Sequence, residues 1–161
     1  MTVQEYNLSV DDYSDRLFRF VLKSIKDRYT AEDIVQDSYE KMWKNRENID
    51  GNKVKSYLFT TAYHTMIDRL RKDKRMVATD ALPIGTEGPS GQYSDLKEQL
   101  DEAVQRLPEV QRIVLVLRDF EGYSYQEIGQ ICDLGESQVK VYIYRARVFL
   151  KNYIGNMEVL V

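Results

Sequence analysis

The chain has 161 residues, of which 43% are apolar, and a formal net charge of −3. This length suits one domain or two small ones, and the acidic balance argues against a protein that coats nucleic acid by charge alone. Cys132 is the only cysteine and His64 the only histidine, which excludes an intramolecular disulfide and any cysteine- or histidine-based metal centre. The cysteine usage fits a reducing cytoplasm, and no hydrophobic run is long enough for a signal peptide or direct membrane insertion.

The hydrophobic pattern is helical almost throughout, without a convincing alternating strand, so the sequence predicts an all-α fold. Residues 76–95, MVATDALPIGTEGPSGQYSD, contain two of the three prolines and three glycines, and they lack helical periodicity. We therefore predict two small helical domains, residues 1–75 and 96–161, joined by a flexible linker over residues 76–95.

The N-terminal half begins with two predicted helices. The first covers about residues 9–27, and the second starts after Thr30, a good N-cap, and ends near residue 45. The apolar side of the second helix includes Trp43, which is expected in the core. Its opposite side is a polar, acidic stripe made of Asp33, Gln36, Asp37 and Glu40. Such a stripe is either a solvated helix face or a docking surface for a protein partner.

A third, longer helix is predicted over about residues 53–74. One outer face combines aromatic, hydroxyl and charged side chains, namely Tyr57, Thr60, Thr61, His64, Asp68, Arg71, Lys72 and Arg75. Aromatic and basic groups on one face can stack on bases and hold phosphates, as single-strand-binding surfaces do. From residue 64 to 76 the chain carries five basic residues against two acids, a local charge of +3. A charged helix end that complements the helix dipole is the simpler alternative.

Residues 124–151 carry the most informative pattern of the sequence. Ser124 followed by Glu127 is a capping-box start for a short helix, and a turn follows at residues 133–135. The next helix has an apolar stripe at Val139, Ile143, Ala146 and Leu150, and an opposite face with Lys140, Tyr144, Arg147 and Lys151. This arrangement predicts a helix-turn-helix whose second helix enters a DNA major groove. The segment alone fits an ordinary helical hairpin with a solvated basic face equally well.

Three segments resemble bacterial RNA polymerase sigma factors: AEDIVQDSYEKMWK (31–44), VKSYLFTTAYHTMIDRLRKDKR (54–75) and LPEVQRIVLVLRDFEGYSYQEIGQICDLGESQVKVYIYRARVFLKNYI (107–154). The resemblance is strongest to the extracytoplasmic-function (ECF) type, which keeps only the region 2 and region 4 domains. It covers almost the whole chain outside the linker. It implies that the partners are core RNA polymerase, promoter DNA and an anti-sigma factor, and that the protein uses no cofactor and is not an enzyme.

The resemblance also implies three groups of site residues. The residues expected to bind polymerase are Asp33, Gln36, Asp37 and Glu40. The residues expected to bind the melted minus-ten element are Asn48, Asn52, Lys53, Ser56, Tyr57, Thr60, Thr61, His64, Arg71 and Lys72. The residues expected to contact the minus-35 element are Glu136, Ser137, Gln138, Lys140, Val141, Tyr144, Arg145, Arg147 and Lys151.

Two other functions fit part of the sequence. A helix-turn-helix transcriptional regulator that acts without core polymerase would explain residues 107–154 but leave the N-terminal motifs unused. An adaptor protein would use the helical surfaces without DNA. An enzyme is the least favoured class, because the sequence has no nucleophile–base pair, glycine-rich phosphate loop or metal-ligand cluster.

Overall fold

The computed structural model describes the backbone of residues 1–80 and 96–159 and the side chains of residues 1–74 and 96–155. Over this part of the chain the fold is all-α, as predicted. The N-terminal half contains α1 (Val3–Ile25), α2 (Arg28–Lys44) and α3 (Val54–Asp80), with short 3-10 turns at Arg46–Asn48 and Gly51–Lys53. The C-terminal half contains α4 (Leu96–Gln105), α5 (Glu109–Leu115), a π-helical turn at Val116–Phe120, α6 (Tyr125–Cys132) and α7 (Glu136–Val159).

The first two helices begin earlier than their patterns predict. Helix α1 starts at Val3 because Thr2 and Glu5 form a capping box, in which the Thr2 hydroxyl accepts from the Glu5 amide at 3.1 Å. Helix α2 starts at Arg28, so the prediction that Thr30 caps this helix was wrong. Asp27 occupies the N-cap position, and the Thr30 hydroxyl donates to the Asp27 carboxylate from inside the first turn.

Helices α1, α2 and α3 pack on one another around a core of fully buried side chains, among them Leu17, Phe20, Ile34, Met42, Phe59 and Met66. Trp43 does not join this core, contrary to the prediction, and 37% of it is exposed. Its ring lies 4.9 Å from that of Tyr6, and the Arg46 guanidinium lies 4.0 Å above it. Because Met42 already faces inward, the next residue along the helix is turned about 100° away, towards the surface.

Helix α3 continues to Asp80, so residues 76–80 of the predicted linker are helical. No glycine or proline precedes Pro83 in this stretch, so nothing in it ends the helix. The remainder of the predicted linker, residues 81–95, lies outside the described residues.

The predicted helix-turn-helix is present in α6 and α7. The Ser124 hydroxyl accepts from the Glu127 amide, and the Ser124 amide donates to the Glu127 carboxylate, both at 3.1 Å. The predicted stripe of α7 is buried at Val139, Ile143 and Ala146. A Cβ atom at Gly129 would lie 2.7 Å from the Leu134 carbonyl oxygen, so the close approach of α6 to the turn requires a glycine there.

The two halves also pack against each other, which the sequence pattern did not predict. The fully buried carboxylate of Glu121 accepts two hydrogen bonds from the Arg19 guanidinium, each at 3.0 Å. The ring of Tyr123 lies 5.2 Å from that of Phe59, in an edge-on arrangement. Nearby, Arg112 donates to the Ser24 carbonyl at 3.0 Å and Lys26 pairs with Asp101 at 2.8 Å. This contact surface, which we call the inter-half interface, joins α1 and α3 to the elements between α4 and α6.

The Arg19–Glu121 pair gives a direct test of the inter-half interface. We expect a double-mutant cycle with Arg19→Ala and Glu121→Ala to give a coupling energy of about 1–2 kcal/mol, discounted because Arg19 is half exposed. Urea unfolding measures the four stabilities. The exposed Arg28–Glu32 pair within α2 is the matched control, with an expected coupling of about 0.3–0.5 kcal/mol. A coupling near zero for Arg19 and Glu121 would contradict packing of the two halves on each other.

Candidate polymerase and nucleic-acid interfaces

The acidic stripe lies on the outer side of α2. Asp33, Gln36 and Glu40 are exposed and Asp37 is half-buried. The sequence pattern missed that Arg69 of α3 reaches across to this stripe: its guanidinium pairs with the Asp33 carboxylate and lies 3.6 Å from that of Asp37. The hydrogen bond with Asp33 raises the pKa of Arg69. Part of the stripe's negative charge is therefore compensated within the protein.

An apolar groove borders the acidic stripe. Its walls come from α1 and α2, and its lining residues are Tyr6, Val10, Ser14, Val35, Gln36, Tyr39, Glu40 and Trp43. Val10 is 38% exposed, and Trp43 is similarly open to solvent. An apolar groove with carboxylate and amide groups along its rim has the composition of a protein-binding surface. Two of the four residues implied in polymerase docking, Gln36 and Glu40, line this groove.

Part of the implied minus-ten set lines an open groove between α2 and α3. One wall carries Tyr57, Thr61 and His64, as the outer-face pattern of the third helix implies. The opposite wall carries Lys41, Lys44 and Asn45 of α2, which the sequence pattern did not identify as site residues. A groove with aromatic rings on one wall and ammonium groups on the other suits an unstacked base and its phosphate.

Hydrogen bonds fix the shape of this groove. The Lys41 ammonium donates to the Thr65 hydroxyl at 3.3 Å, and that hydroxyl donates to the Thr61 carbonyl at 2.8 Å. The Tyr57 hydroxyl lies 3.5 Å from the Lys41 carbonyl, so its ring is held beside α2. The groove is thus positioned by contacts between two helices rather than by a loop.

The other implied minus-ten residues lie elsewhere. Asn52 and Ser56 face a cleft of the inter-half interface, which they line together with Lys55, Phe59, Tyr123, Glu127, Gln130 and Ile131. Asn48 and Lys53 are exposed in the segment between α2 and α3, and Arg71 and Lys72 are exposed further along α3. Thr60 is half-buried and does not line the groove. The side chain of Arg75, predicted on the same face, lies outside the described residues.

The implied minus-35 residues are all exposed on α7, but several already have partners within the protein. Arg147 donates two hydrogen bonds to Asp119, at 3.1 and 2.5 Å, and these raise its pKa. Lys140 lies 3.8 Å from the Glu136 carboxylate, and Gln138 donates to the Tyr142 hydroxyl at 3.1 Å. A phosphate that binds Arg147 would therefore have to compete with a carboxylate.

The part of the chain that the structure describes was also compared with the requirements of a metal site, a reactive thiol and a membrane-spanning helix. No group of His, Cys, Asp and Glu side chains there could hold a metal ion. Burial raises the pKa of the Cys132 thiol to about 12, so this thiol is neutral at physiological pH and acts as a packing group. Across the same residues, no helix combines the length and the apolar character that membrane crossing requires.

The family models match both halves. The model for sigma-70 region 2 matches residues 10–76, and the model for sigma-70 region 4 matches residues 97–150. The first match contains the acidic stripe and the α2–α3 groove, and the second contains the helix-turn-helix.

Curated relatives and a solved structure agree with these matches. The ECF RNA polymerase sigma factor SigM of Bacillus subtilis is 31% identical over 158 residues, covering 94% of this chain and 94% of the relative. SigW of the same organism is 28% identical and covers 92% of this chain and 88% of the relative. The sigma factor RpoE of Bartonella quintana, solved in complex with the anti-sigma factor NepR, matches with a TM-score of 0.80 and 25% identity over 95% of this chain and 98% of that chain.

These matches define a class of two-region, helix-turn-helix transcription factors. The chain belongs to the sigma-70 family of RNA polymerase sigma factors and, within it, to the ECF type. The region 2 match accounts for the N-terminal motifs that a stand-alone helix-turn-helix regulator would leave unused.

The buried thiol of Cys132 predicts a pH dependence of stability. Its pKa is raised from an ordinary value of 9.0 to about 12 in the folded protein, so between these values the folded chain holds a proton that the unfolded chain has lost. Its contribution to stability is thus complete below pH 9 and declines as pH rises towards 12. We expect urea unfolding between pH 8 and 10.5 to show a steeper decline for the wild-type protein than for Cys132→Ala. Equal slopes would contradict burial of the thiol.

Proposed function

We propose that this sigma factor binds core RNA polymerase in the cytoplasm, directs it to a class of promoters and assists promoter melting without being an enzyme. One observation carries the proposal: the groove between α2 and α3 lies within the region 2 match and pairs aromatic rings with ammonium groups. Such a groove suits single-stranded bases, which a promoter presents only when it is open.

Melting follows from differential affinity. The rings of Tyr57 and His64 can stack only on bases that have left the duplex. Lys41 attracts phosphates in either state, and so does Lys44 where a phosphate displaces the Glu40 carboxylate that pairs with it at 2.9 Å. A surface that binds the open strand more tightly than the duplex shifts the equilibrium towards opening by that difference in affinity. The energy comes from binding, so the step needs no covalent chemistry.

We propose that polymerase docks on the acidic stripe and the apolar groove beside it. The groove supplies apolar area, and the Glu40 carboxylate on its rim, with those of Asp33 and Asp37 further round α2, favours a basic partner surface. Because Arg69 pairs with Asp33 and Asp37, it limits the attraction that the stripe exerts.

An anti-sigma protein is a further proposed partner. The solved relative is bound to the anti-sigma factor NepR, and its likeness extends over 95% of this chain. The structural similarity covers both halves, so a regulator of this chain would bind halves that are arranged much as they are in the solved relative. We expect such a protein to lower the binding of core polymerase.

Reconstitution with core polymerase tests the function. We expect run-off transcription from genomic fragments to start at a defined set of promoters only when this protein is present, and start-site mapping to give two shared sequence elements. A stand-alone regulator would instead bind duplex DNA without polymerase. An adaptor would associate with polymerase without changing where transcription starts. Either result would overturn the proposal.

We expect a substitution in the α2–α3 groove to impair promoter opening, and a template that is already open to correct this defect. Tyr57→Ala should reduce affinity for the non-template minus-ten strand by about 1–3 kcal/mol, because one stacking platform is lost. Open complexes, followed by 2-aminopurine fluorescence in the minus-ten element, should form less completely, and a template with a pre-melted bubble should restore initiation. Arg28→Ala, which removes a cation of α2 away from the groove, is the control and should behave as wild type. An equal defect on the bubble template would contradict a role in melting.

Because Arg69 pairs with Asp33 and Asp37, we expect removal of the carboxylates and removal of Arg69 to change the affinity for core polymerase in opposite directions. Asp33→Asn together with Asp37→Asn should weaken core binding several-fold, because the attraction for a basic surface is lost. Arg69→Ala uncovers the same carboxylates and should strengthen core binding or raise its sensitivity to salt. Fluorescence anisotropy with labelled protein measures both, and Glu102→Gln on α4, which removes an ion-paired carboxylate outside the acidic stripe, is the control. Weakened binding by Arg69→Ala would indicate that Arg69 itself contacts polymerase.

A further inference from the structure

The outer face of α7 carries an apolar stripe that the fold does not use. Val141, Tyr144 and Val148 recur at helical spacing and are 44%, 70% and 40% exposed. The inward stripe of the same helix, at Val139, Ile143 and Ala146, is already buried. Phe149, which stacks on Tyr153, is 37% exposed as well. A second apolar stripe on a helix whose inward stripe is already buried indicates contact with another molecule.

The polar neighbours of this stripe are largely occupied. Gln138, Lys140 and Arg147 each have a partner within the protein, namely Tyr142, Glu136 and Asp119. Lys140 also lies 5.6 Å from the ring of Tyr125, on the side of α7 that faces the first helix of the motif. Among the described residues, Ser137, Val141, Tyr144 and Arg145 have no such hydrogen bond or ion pair. Val141 and Tyr144 are therefore unpaired apolar groups presented outward near the start of α7, beside the polar Ser137 and Arg145.

The major groove of DNA offers one apolar group, the C5-methyl of thymine, and apolar side chains recognise it by contact. In a helix-turn-helix, residues in the N-terminal half of the second helix reach the base edges. Val141 and Tyr144 occupy that half of the helix, whereas Val148 lies one to two turns further along.

We propose that Val141 and Tyr144 read thymine methyl groups in the minus-35 element, so that part of the promoter preference rests on apolar contact rather than on charge. This inference rests on the proposed function, because it requires α7 to enter the major groove of a promoter. In this arrangement the polar residues of α7 contact the DNA backbone and not the bases. Arg145 and Lys151 are exposed cations suited to the phosphates that flank the major groove.

Replacement of thymine by deoxyuridine tests the proposal, because it removes only the methyl group and keeps the hydrogen-bonding edge. The holoenzyme, reconstituted with core polymerase, first selects its preferred minus-35 element from a randomised library. Each thymine of that element is then replaced singly in a duplex promoter, and binding is measured by competition. We expect wild-type affinity to fall about fourfold at one or two positions, the amount that burial of one methyl group contributes.

Variants of α7 separate methyl contact from changes in DNA shape. Val141→Ala and Tyr144→Ala should each lose affinity for the thymine promoter, and each should become insensitive to deoxyuridine at the position it contacts. Val148→Ala, an equally exposed valine placed further along the helix, should keep the wild-type response. Tyr144→Phe should also keep it, because the ring and not the hydroxyl makes the contact.

Two results would overturn this inference while leaving the proposed function intact. In the first, wild-type holoenzyme initiates selectively but binds thymine and deoxyuridine promoters equally at every position. In the second, the loss on deoxyuridine persists in both Val141→Ala and Tyr144→Ala, which assigns the effect to DNA shape. Absence of promoter-selective initiation would instead overturn the proposed function and this inference with it.

Discussion

The pairing of half-exposed Arg19 with the buried carboxylate of Glu121 links the two halves of this protein, which carry its functional surfaces. A carboxylate removed from water needs a partner in good geometry, and the two hydrogen bonds from Arg19 supply one. This pairing fixes α1 against the segment that follows α5, and it thereby places the helix-turn-helix beside the start of α3. The cleft around Asn52 and Ser56 lies between the two halves, whereas the α2–α3 groove lies within the N-terminal half and is open to solvent.

The inter-half interface is polar and aromatic rather than uniformly apolar. Two cations lie over the ring of Tyr123, Lys55 at 4.5 Å and Arg16 at 5.7 Å from its centroid. Burial raises the pKa of the Tyr123 phenol. Among the described residues, the hydroxyl of Tyr123 and the Nε of Arg112 are buried without a hydrogen-bond partner in the protein, which offsets part of the gain from the contact. These directed contacts surround a continuous apolar core that includes buried residues of both halves.

Features determined by neighbouring residues were predictable from the sequence, and features determined by contacts between helices were not. The capping box of Ser124 and Glu127 and the inward stripe of α7 depend on spacings of three and four residues, and both are present. The inter-half pair joins residues 102 positions apart, a distance at which no local pattern operates. Trp43 was misassigned for a related reason, because packing decided its environment. The starts of α1 and α2 are exceptions, since Thr2, Glu5 and Asp27 are local signals that the predicted helix boundaries did not use.

The same limit applies to the candidate sites. The acidic stripe and the outer faces of α3 and α7 follow from helical periodicity, so their exposed residues could be predicted. Lys41 and Lys44, which form the second wall of the α2–α3 groove, could not, since their position depends on how two helices are rotated against each other. Arg69 was likewise counted as part of a basic patch, although it pairs with Asp33 and Asp37.

These ion pairs reduce the positive charge that the basic patches of the sequence present to DNA. Arg69, Lys140 and Arg147 contribute to the local positive charge of the sequence, but each is compensated by a carboxylate within the protein. The exposed cations of these patches that keep no such partner among the described residues are Arg71, Lys72, Lys74, Arg145 and Lys151. They form two small groups on an acidic chain, so binding of DNA by this chain alone should be weak. A protein of this kind selects a sequence through shape, stacking and apolar contact, and it relies on a tightly bound larger partner for affinity. An acidic net charge is then compatible with promoter recognition, because the chain contributes discrimination while the assembly holds the DNA.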